Sequence, residues 1–562
     1  MTQTSRKNTD RKQYSLGHRL LRLLPHLLAG VLAAAVFLGV ADLISRLFGP
    51  TSSTLIALGS TVITLSPSWL QDFAISTFGG NNKLVLYISM GVVGTIIAAL
   101  IGLLSRSRMK LALGAFSLVA LILLAAVFLR PENSAADTVP TLIGAVVGIL
   151  TLLLLSGAAT GWLRPRGETA GRTAADPEIS PAAETRRGRG VQREQSSPAT
   201  AKSSAHSRRL FLGLTAAGAA VAGGSIAFGR SVNAFGQEVG QTAARQLLPT
   251  PAVAATAIPD AASVAVEGMP PFITPSSDFY RIDTALAVPE LAAEDWTLRI
   301  HGMVEEEVTI NMSELVELPL VEHHVTLTCV SNPVGGDLVG NATWLGYPIH
   351  ELLARARPTG NADMVLSTSI DGWTASTPLE VLTDENRESL LAIGMNGEPL
   401  PAEHGYPARL VVPGLYGFVS ATKWVTELEV TRFDEQTAYW TDRGWNARGP
   451  VLVASRIDVP RPLAEVSGEE LVVGGTAWAQ HVGVETVEVR LDDGDWESVE
   501  LGEEVTTDTW RQWKHTFADV SSGRHSVTVR AINADGDTQT SERADPIPGA
   551  ATGHHRIEFS VA

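Results

Sequence analysis

The chain has 562 residues, a net charge of −16 and a single cysteine, Cys329. That length calls for two or three domains, because single cores seldom exceed about 250–300 residues. The acidic balance excludes a nucleic-acid binder, and one thiol excludes both an internal disulfide framework and a CxxC metal site.

Hydropathy divides the chain into two unlike halves. Four stretches, Leu27–Phe48, Leu84–Leu104, Leu111–Leu129 and Val139–Leu155, approach the roughly 20 apolar residues that a membrane-spanning helix needs. Residues Thr54 to Leu65 are apolar but short and carry Ser60, Thr61 and Thr64, so they are not counted as a span. Charge bias agrees with four crossings. Arg6, Lys7, Arg11, Lys12, Arg19 and Arg22 precede the first span, Arg106, Arg108 and Lys110 follow the second, and Arg164 to Arg193 follow the fourth. All fall on one side, which the positive-inside rule makes cytoplasmic. Residues 1–163 therefore read as a multi-pass, membrane-embedded region of about four helices.

Residues 164–207 are rich in Pro, Gly, Ala, Ser, Thr and Arg and read as a disordered cytoplasmic linker, too poor in large apolar residues to offset chain entropy. Ser207-Arg208-Arg209-Leu210-Phe211-Leu212 follows, opening a weakly apolar segment to about residue 230. This looks like a twin-arginine export signal placed internally. It predicts a fifth, signal-like helix over 208–230 and places the remainder outside the cytoplasm.

Pro251 to Ile273 is Ala/Pro-rich and reads as a connector. Alternation then predicts strands at Trp296–Ile300 and at Val325–Thr328 leading into Cys329, with short helices at Met312–Leu318, Pro348–Arg355 and Pro378–Thr383. Short strands, short helices and Gly/Pro turns describe an α+β domain over 250–449. It holds no P-loop, Rossmann fingerprint, zincin helix or Gly-x-Ser-x-Gly elbow. His323 and His324 are adjacent, so on a strand they face opposite sides and cannot chelate one ion.

What remains is Thr326-Leu327-Thr328-Cys329-Val330-Ser331-Asn332-Pro333-Val334-Gly335-Gly336, a thiol where a strand meets a glycine-rich turn. Met395-Asn396-Gly397-Glu398-Pro399-Leu400-Pro401 follows, then His404-Gly405-Tyr406-Pro407-Ala408-Arg409 and Ala421-Thr422-Lys423-Trp424. In their order these segments resemble the molybdopterin domain of the sulfite oxidase family, with its MNG-x-PLP, HG-x-P-x-R and KW signatures. The resemblance runs from about Phe272 to the C-terminus and takes in Phe279-Tyr280-Arg281 and Ser455–Pro460.

The resemblance implies a Mo-molybdopterin cofactor with Cys329 as metal ligand, a thiolate being a suitable donor for a soft dithiolene-bound metal. It implies cofactor contacts from Ser277, Tyr280, Arg281, Ser369, Asp371, His404, Arg409, Ala421, Thr422 and Lys423. Arg281 and Trp373 align with an arginine and an aromatic residue of the family's substrate pocket. The family's basic pair after the cysteine is replaced here by Pro333 and Val334, with Arg443 or Arg448 as substitutes. The substrate stays open: sulfite, another oxyanion, or a sulfoxide or N-oxide that is reduced.

From about Pro450 the chain predicts strands and turns: Leu471–Gly475, Val487–Leu491, a turn at 492–495 and His525–Ala531. The spacing indicates an all-β immunoglobulin-like sandwich over 450–562, which in the family would form a homodimer. With no haem-attachment or iron–sulfur cysteines, electrons are expected to pass to or from a separate redox partner or a quinone. The whole reads as a membrane-anchored oxidoreductase acting on a small molecule outside the cytoplasm. The competing class is a non-enzymatic, membrane-anchored extracellular binding protein.

Overall fold

The computed structural model describes residues 16–48, 52–78, 82–130, 133–162, 213, 216, 248–467 and 470–562. The linker expected at 164–207 lies outside the described residues, as does the twin-arginine segment at 208–230 apart from two positions. The chain forms two compact units, one from residues 1–66 and 70–234, the other from 67–69 and 235–562.

In the first unit the helices are α1 (Leu16–Ser45), α2 (Thr54–Leu65), α3 (Ser68–Phe78), α4 (Asn82–Ser105), α5 (Met109–Phe128) and α6 (Val139–Trp162). Four helical stretches are long and apolar enough to cross a membrane: Leu23–Ser45, Asn82–Ser105, Met109–Phe128 and Ala135–Thr160. They contain the predicted spans, save a few residues at the C-terminal end of the first and third. The 12-residue α2 is too short to cross. On α4, Ile88, Val92, Ile96 and Leu100 recur every fourth residue and stay exposed, an apolar ridge suited to lipid.

Small residues set how closely these helices approach. A Cβ on Gly102 would lie 2.2 Å from the carbonyl oxygen of His26, and one on Gly30 would lie 2.0 Å from that of Ala98. Backbone therefore meets backbone where α1 crosses α4, the packing mode that lipid-embedded helices favour. Hydroxyl pairs add polar contacts: Ser105 to Ser156 at 2.8 Å and Thr54 to Thr141 at 2.7 Å.

The second unit begins with ten strands. These are β1 (Thr297–Gly302), β2 (Val308–Asn311), β3 (Val321–Thr328), β4 (Val339–Pro348), β5 (Met364–Ser369) and β6 (Thr374–Pro378). Then come β7 (Leu390–Met395), β8 (Glu398–Pro399), β9 (Arg409–Val411) and β10 (Val425–Thr431). One sheet has the order β2-β1-β10-β5-β6, and the other β3-β4-β7-β8 with β9 also on β7. Between strands lie the short helices α7 (Met312–Val316), α8 (Ile349–Ala356) and α9 (Leu379–Thr383). Asn311 starts α7 with a capping box, its Oδ1 accepting from Glu314 N at 3.0 Å while Glu314 Oε2 accepts from Asn311 N at 3.0 Å. Helix α8 buries Ile349, Leu352, Leu353 and Ala356, the spacing of one helical face.

The expected connector at 251–273 is instead packed on this domain. Glu322 N donates to Val253 O at 2.9 Å, Ala252 N to Leu320 O at 2.7 Å, and Thr274 N to Asn341 O at 2.8 Å. The reason is hydrogen bonding: the segment pairs with backbone groups at the start of β3 and on β4, which composition alone does not disclose.

Nine strands complete the unit: β11 (Ala454–Val459), β12 (Glu465–Val466), β13 (Glu470–Trp478), β14 (Val484–Leu491), β15 (Glu497–Ser498), β16 (Glu500–Leu501), β17 (Arg511–Ala518), β18 (Gly523–Asn533) and β19 (His555–Val561). They form a four-stranded sheet, β11-β13-β17-β16, and a five-stranded one, β12-β19-β18-β14-β15. Residues from both sheets share one core that includes Leu471, Trp513, Val489, Val529 and Phe559. Strand β19 alternates, burying Ile557, Phe559 and Val561.

The close crossing in the helical unit is testable. Gly102→Leu should force α1 and α4 apart and cost about 1–3 kcal/mol, the scale of an overpacked contact. Gly114, where an added Cβ meets nothing within 4 Å, is the control. Thermal melting of the full chain in detergent should show an earlier helical transition for Gly102→Leu and none for Gly114→Leu. Equal melting would mean the helices do not touch at Gly102.

Candidate active site

Strand β3 carries two functions on its two faces. Val325 and Leu327 enter a core with Phe279, Trp344 and Met395. Thr326 and Thr328, one residue out of phase, bond toward the C-terminal strands. Trp510 N donates to Thr326 Oγ1 at 2.8 Å, and Gln480 Nε2 donates to Thr326 O at 3.0 Å and Thr328 Oγ1 at 2.8 Å. Cys329 follows, buried, as the strand ends. Its N–H donates to Leu338 O at 3.0 Å, its carbonyl accepts from Asn332 N at 3.0 Å, and Asn332 Oδ1 accepts from Leu338 N at 3.0 Å. The 329–338 loop is thus closed on itself with the thiol at its base. Burial pushes the Cys329 thiol up, and hydrogen bonds from the backbone and side chain of Ser331 pull it back.

Tyr280, whose phenol feels the Cys329 thiol, also feels Arg409, one of two buried cations in the domain. Arg409, on β9, donates to His404 O at 3.0 Å and Leu410 O at 3.3 Å, and its guanidinium stands 5.0 Å from the centre of the Trp344 ring. No carboxylate pairs with it among the described residues. Burial brings it down to about 10, with Tyr280 opposing. Lys423 is held by Asp283 Oδ2 at 2.7 Å and Glu403 O at 3.0 Å, and burial outweighs Asp283 to bring it down to about 8. The same Asp283 oxygen accepts from Arg281 Nε at 2.8 Å. Gly405 makes this closeness possible: at φ +115°, a Cβ there would sit 3.0 Å from Arg409 Cβ and 3.1 Å from Lys423 Cβ.

His404 is buried, and burial followed by Arg409 holds its imidazole down at about 4, so it is neutral. Its Nε2 lies 3.0 Å from Ser276 O. A carbonyl only accepts, so the proton sits on Nε2 and Nδ1 is an acceptor. Phe279 stacks on Tyr280 at 5.1 Å and meets His404 edge-on at 5.6 Å. Burial, with Cys329 adding, pushes the Tyr280 phenol above its usual range, and Arg409 opposes.

The remaining expected residues divide. Ser369 Oγ and Trp373 Nε1 are buried with no hydrogen-bond partner among the described residues. Thr422 pairs its hydroxyl with Ser367 at 2.6 Å, and Ala421 N donates to Gly417 O at 2.9 Å, which fixes the backbone before Lys423. Asp371 is spent on Trp373 N at 3.1 Å, closing the β5–β6 turn, and exposed Ser277 on Asp278 at 3.0 Å. Arg281 is tied to Asp283. Arg443 sits over the Tyr439 ring at 3.6 Å and Arg448 over Phe433 at 4.9 Å.

Sequence reasoning missed Asp283, Tyr416 and the task of Asn396. Asn396 donates to Thr274 O at 3.0 Å and Ser276 Oγ at 3.1 Å and accepts from Thr343 N at 3.0 Å, which clamps the segment leading to Phe279. Its place in MNG-x-PLP was the available signal. Asp283, two residues after Arg281, gave none. A cavity of about 380 Å³ opens beside the thiol, with Cys329, Tyr416, Val334 and Trp478 among its walls. Burial, with Cys329 adding, pushes Tyr416 up to about 12. Arg281, Trp373, Arg443 and Arg448 do not line this cavity.

His404 gives a pH test. Between about 6.5 and about 4 the unfolded chain takes up a proton that folded His404 refuses, so stability falls as pH drops through that window. His555, held at about 4 by burial and then by Arg456 and Arg543, adds a second. His404→Gln should remove about half of this acid loss in the cofactor-free chain, read from melting temperature against pH. An unaltered acid slope would mean that His404 protonates freely.

The family described as "Oxidoreductase molybdopterin binding domain" matches residues 285–440. Human mitochondrial sulfite oxidase is 28% identical over 314 residues, 46% of this chain and 55% of that protein. The uncharacterized oxidoreductase YuiH of Bacillus subtilis is 31% identical over 154 residues, 27% of this chain and 74% of its own. The catalytic subunit of the protein-methionine-sulfoxide reductase MsrP of Burkholderia mallei is 32% identical over 236 residues, 38% of this chain and 66% of that one. The chain spans about half the length of the curated sulfite oxidases it matches. The chain belongs to the sulfite oxidase-type family of molybdopterin-binding oxidoreductases, and its cofactor is molybdenum–molybdopterin.

Proposed function

We propose that the protein is a membrane-anchored oxidoreductase that carries out two-electron oxygen-atom transfer on a small oxyanion or sulfoxide-type substrate, with Cys329 holding the metal. The observation that carries this is the only thiol in the chain, seated at the end of β3, with Tyr280 feeling both that thiol and a buried guanidinium, Arg409, that no carboxylate offsets among the described residues. A buried charge left alone is costly. Arg409, Lys423 and the unpartnered donors Ser369 Oγ and Trp373 Nε1 together fit an anionic, polar-edged group such as a pterin phosphate.

Bound, the cofactor supplies a metal that accepts or gives two electrons and one oxygen atom. The chain's own residues do the rest. Cys329 supplies the thiolate, which coordination keeps deprotonated. Arg409 offers a planar fork to phosphate and Lys423 a point charge from another segment. Neutral His404 presents Nδ1 as an acceptor toward the pterin's N–H groups. Tyr280 and Arg281 border the cofactor, with Ser277, Asp371, Ala421 and Thr422 shaping the polar backbone around it. Arg281 and Trp373, which lie outside the cavity beside Cys329, are candidates for substrate contact only by their match to the family's pattern.

Residues 250–449 form the cofactor domain in this reading, and 450–562 an immunoglobulin-like sandwich through which two copies pair. Two sheets around one core support the sandwich. The helices of residues 1–163 embed the chain in the cell membrane. The basic loops on one side, and the twin-arginine pattern at Ser207–Leu212, support a catalytic domain on the outer face, exported folded. Electrons pass to or from a separate carrier or a quinone.

Two substitutions test this reading. Cys329→Ser should abolish oxygen-atom transfer and change the metal's electronic spectrum while the fold survives; retained activity would overturn the assignment. Arg409→Ala should copurify with much less pterin. Truncating one partner of a buried charge pair costs about 2–5 kcal/mol, roughly a 30- to several-thousand-fold loss of affinity. Exposed Arg524→Ala should keep wild-type content. Fluorescence of the oxidised pterin after acid extraction measures it, and equal content in all three proteins would make Arg409 a structural residue only.

A further inference from the structure

The cavity beside Cys329 has an unusual charge for a site in this family setting. Its walls mix apolar residues, Val334, Leu452 and Trp478 among them, with uncharged polar ones such as Thr328, Asn332 and Gln539. Asp535 and Asp537, on the turn that follows β18, also line it, and both are exposed. No lysine, arginine or histidine lines it. Four basic residues stand behind the lining: His555 packs on Gly335 and is held down at about 4 by burial and then by Arg456 and Arg543, and exposed Arg543 packs on Gly553. Arg456 donates to Gly336 O at 2.9 Å and pairs with Asp458 at 2.8 Å. Arg448 faces a second cavity that also holds Asp545.

An oxyanion entering this space would shed water with no cation among the lining residues and would pass two carboxylates. That path disfavours negative charge at every step. A positive group would be drawn to the mouth while an uncharged oxygen-bearing group went on toward the thiol. The turn is held in shape by Asn533, which accepts from Asp537 N at 2.7 Å, so the carboxylates keep their place.

Resting on the reading that Cys329 marks the reaction centre, we propose that this cavity is the substrate's route and that Asp535 and Asp537 select for S-oxides or N-oxides bearing a positive charge and against oxyanions. The reaction is then a reduction. The S–O or N–O bond breaks, sulfur or nitrogen gains two electrons, and oxygen leaves as water with two solvent protons. The electrons come from an external one-electron donor, reduced viologen in the assay.

The test uses the full-length holoenzyme and three methyl aryl sulfoxides of similar size carrying a trimethylammonium group, no charge, or a sulfonate. At low ionic strength kcat/KM should be about five- to tenfold higher for the cation than for the anion, and the ratio should shrink toward one in about 0.5 M salt. D535N/D537N, isosteric and without the charge, should bring the low-salt ratio down several-fold. D493N/D495N, on a turn away from the cavity, should leave it alone. A second readout needs no turnover. In the cofactor-free full chain, Cys329 is labelled with cationic and anionic methanethiosulfonates, normalised to a small free thiol. Its cation-to-anion labelling ratio should fall in D535N/D537N. Unchanged ratios in that variant, or faster turnover of the sulfonate, would overturn the inference. If the metal-loaded wild type reduces none of the three sulfoxides, the oxygen-transfer reading fails on its own account, and the labelling ratio still decides whether the aspartates govern the route.

Discussion

A guanidinium buried with no counter-ion among the described residues is the constraint around which the catalytic domain is arranged. Arg409 lies on a three-residue strand paired only with β7, faces an indole, and among the described residues finds only backbone carbonyls to accept its hydrogen bonds. Removing such a group from water costs several kcal/mol unless a partner compensates. The neighbouring features follow from it. His404 stays neutral beside the charge, Gly405 lets Lys423 approach it, and Asp283 serves Lys423 and Arg281 but not Arg409. Trp344 offers the face of its ring, a partner that attracts a cation without neutralising it. The domain thus holds an unmet demand for negative charge, which a pterin phosphate would answer.

How much of this was legible in the sequence depends on how local the signal was. The strand entering Cys329 showed in its alternation, and α8 in the spacing of Ile349, Leu352, Leu353 and Ala356. The four long apolar helices showed in length and hydropathy, and the 12-residue α2 was set aside for the same reason. The packed course of residues 251–273 was not legible, because its partners, backbone groups such as Leu320 and Glu322 and the side chains of His324, Asn341, Trp510 and Gln512, lie about 70 to 240 residues away and leave no local pattern. Asp283 escaped for a similar reason. Its importance comes from Lys423, 140 residues further on, and no local pattern links the two. Asp371 was legible as a polar strand end, but its carboxylate caps its own turn, as aspartates in tight turns often do.

The two units solve burial with different solvents in view. In the catalytic unit, buried polar groups find specific partners, as when Asn341 takes Thr326 and Phe272 O at once. In the helical unit the outward face is apolar, and close approach comes from glycines with a few hydroxyl pairs as polar contacts. Without a hydrophobic drive between helices in lipid, backbone proximity and such pairs carry association. A side chain added at the crossing of α1 and α4 meets backbone atoms first, carbonyl oxygens closest, with no flexible side chain among its nearest neighbours to displace.

The seam between β3 and the C-terminal strands bears on timing. Thr326 is completed by Asp508 and Trp510, and Thr326 and Trp510 lie 184 residues apart in the chain. Gln480 supplies the bonds that hold Thr326 and Thr328 just ahead of the thiol. A ribosome that has finished Lys423 has therefore made the cofactor-side residues but not the wall that fixes the cysteine's strand. Contacts of such sequence separation form late. With Cys329 as the metal ligand, the reading proposed above, insertion into a correctly seated site would wait until nearly the whole chain has been synthesised, and translation, closure of the seam and loading would occur in that order.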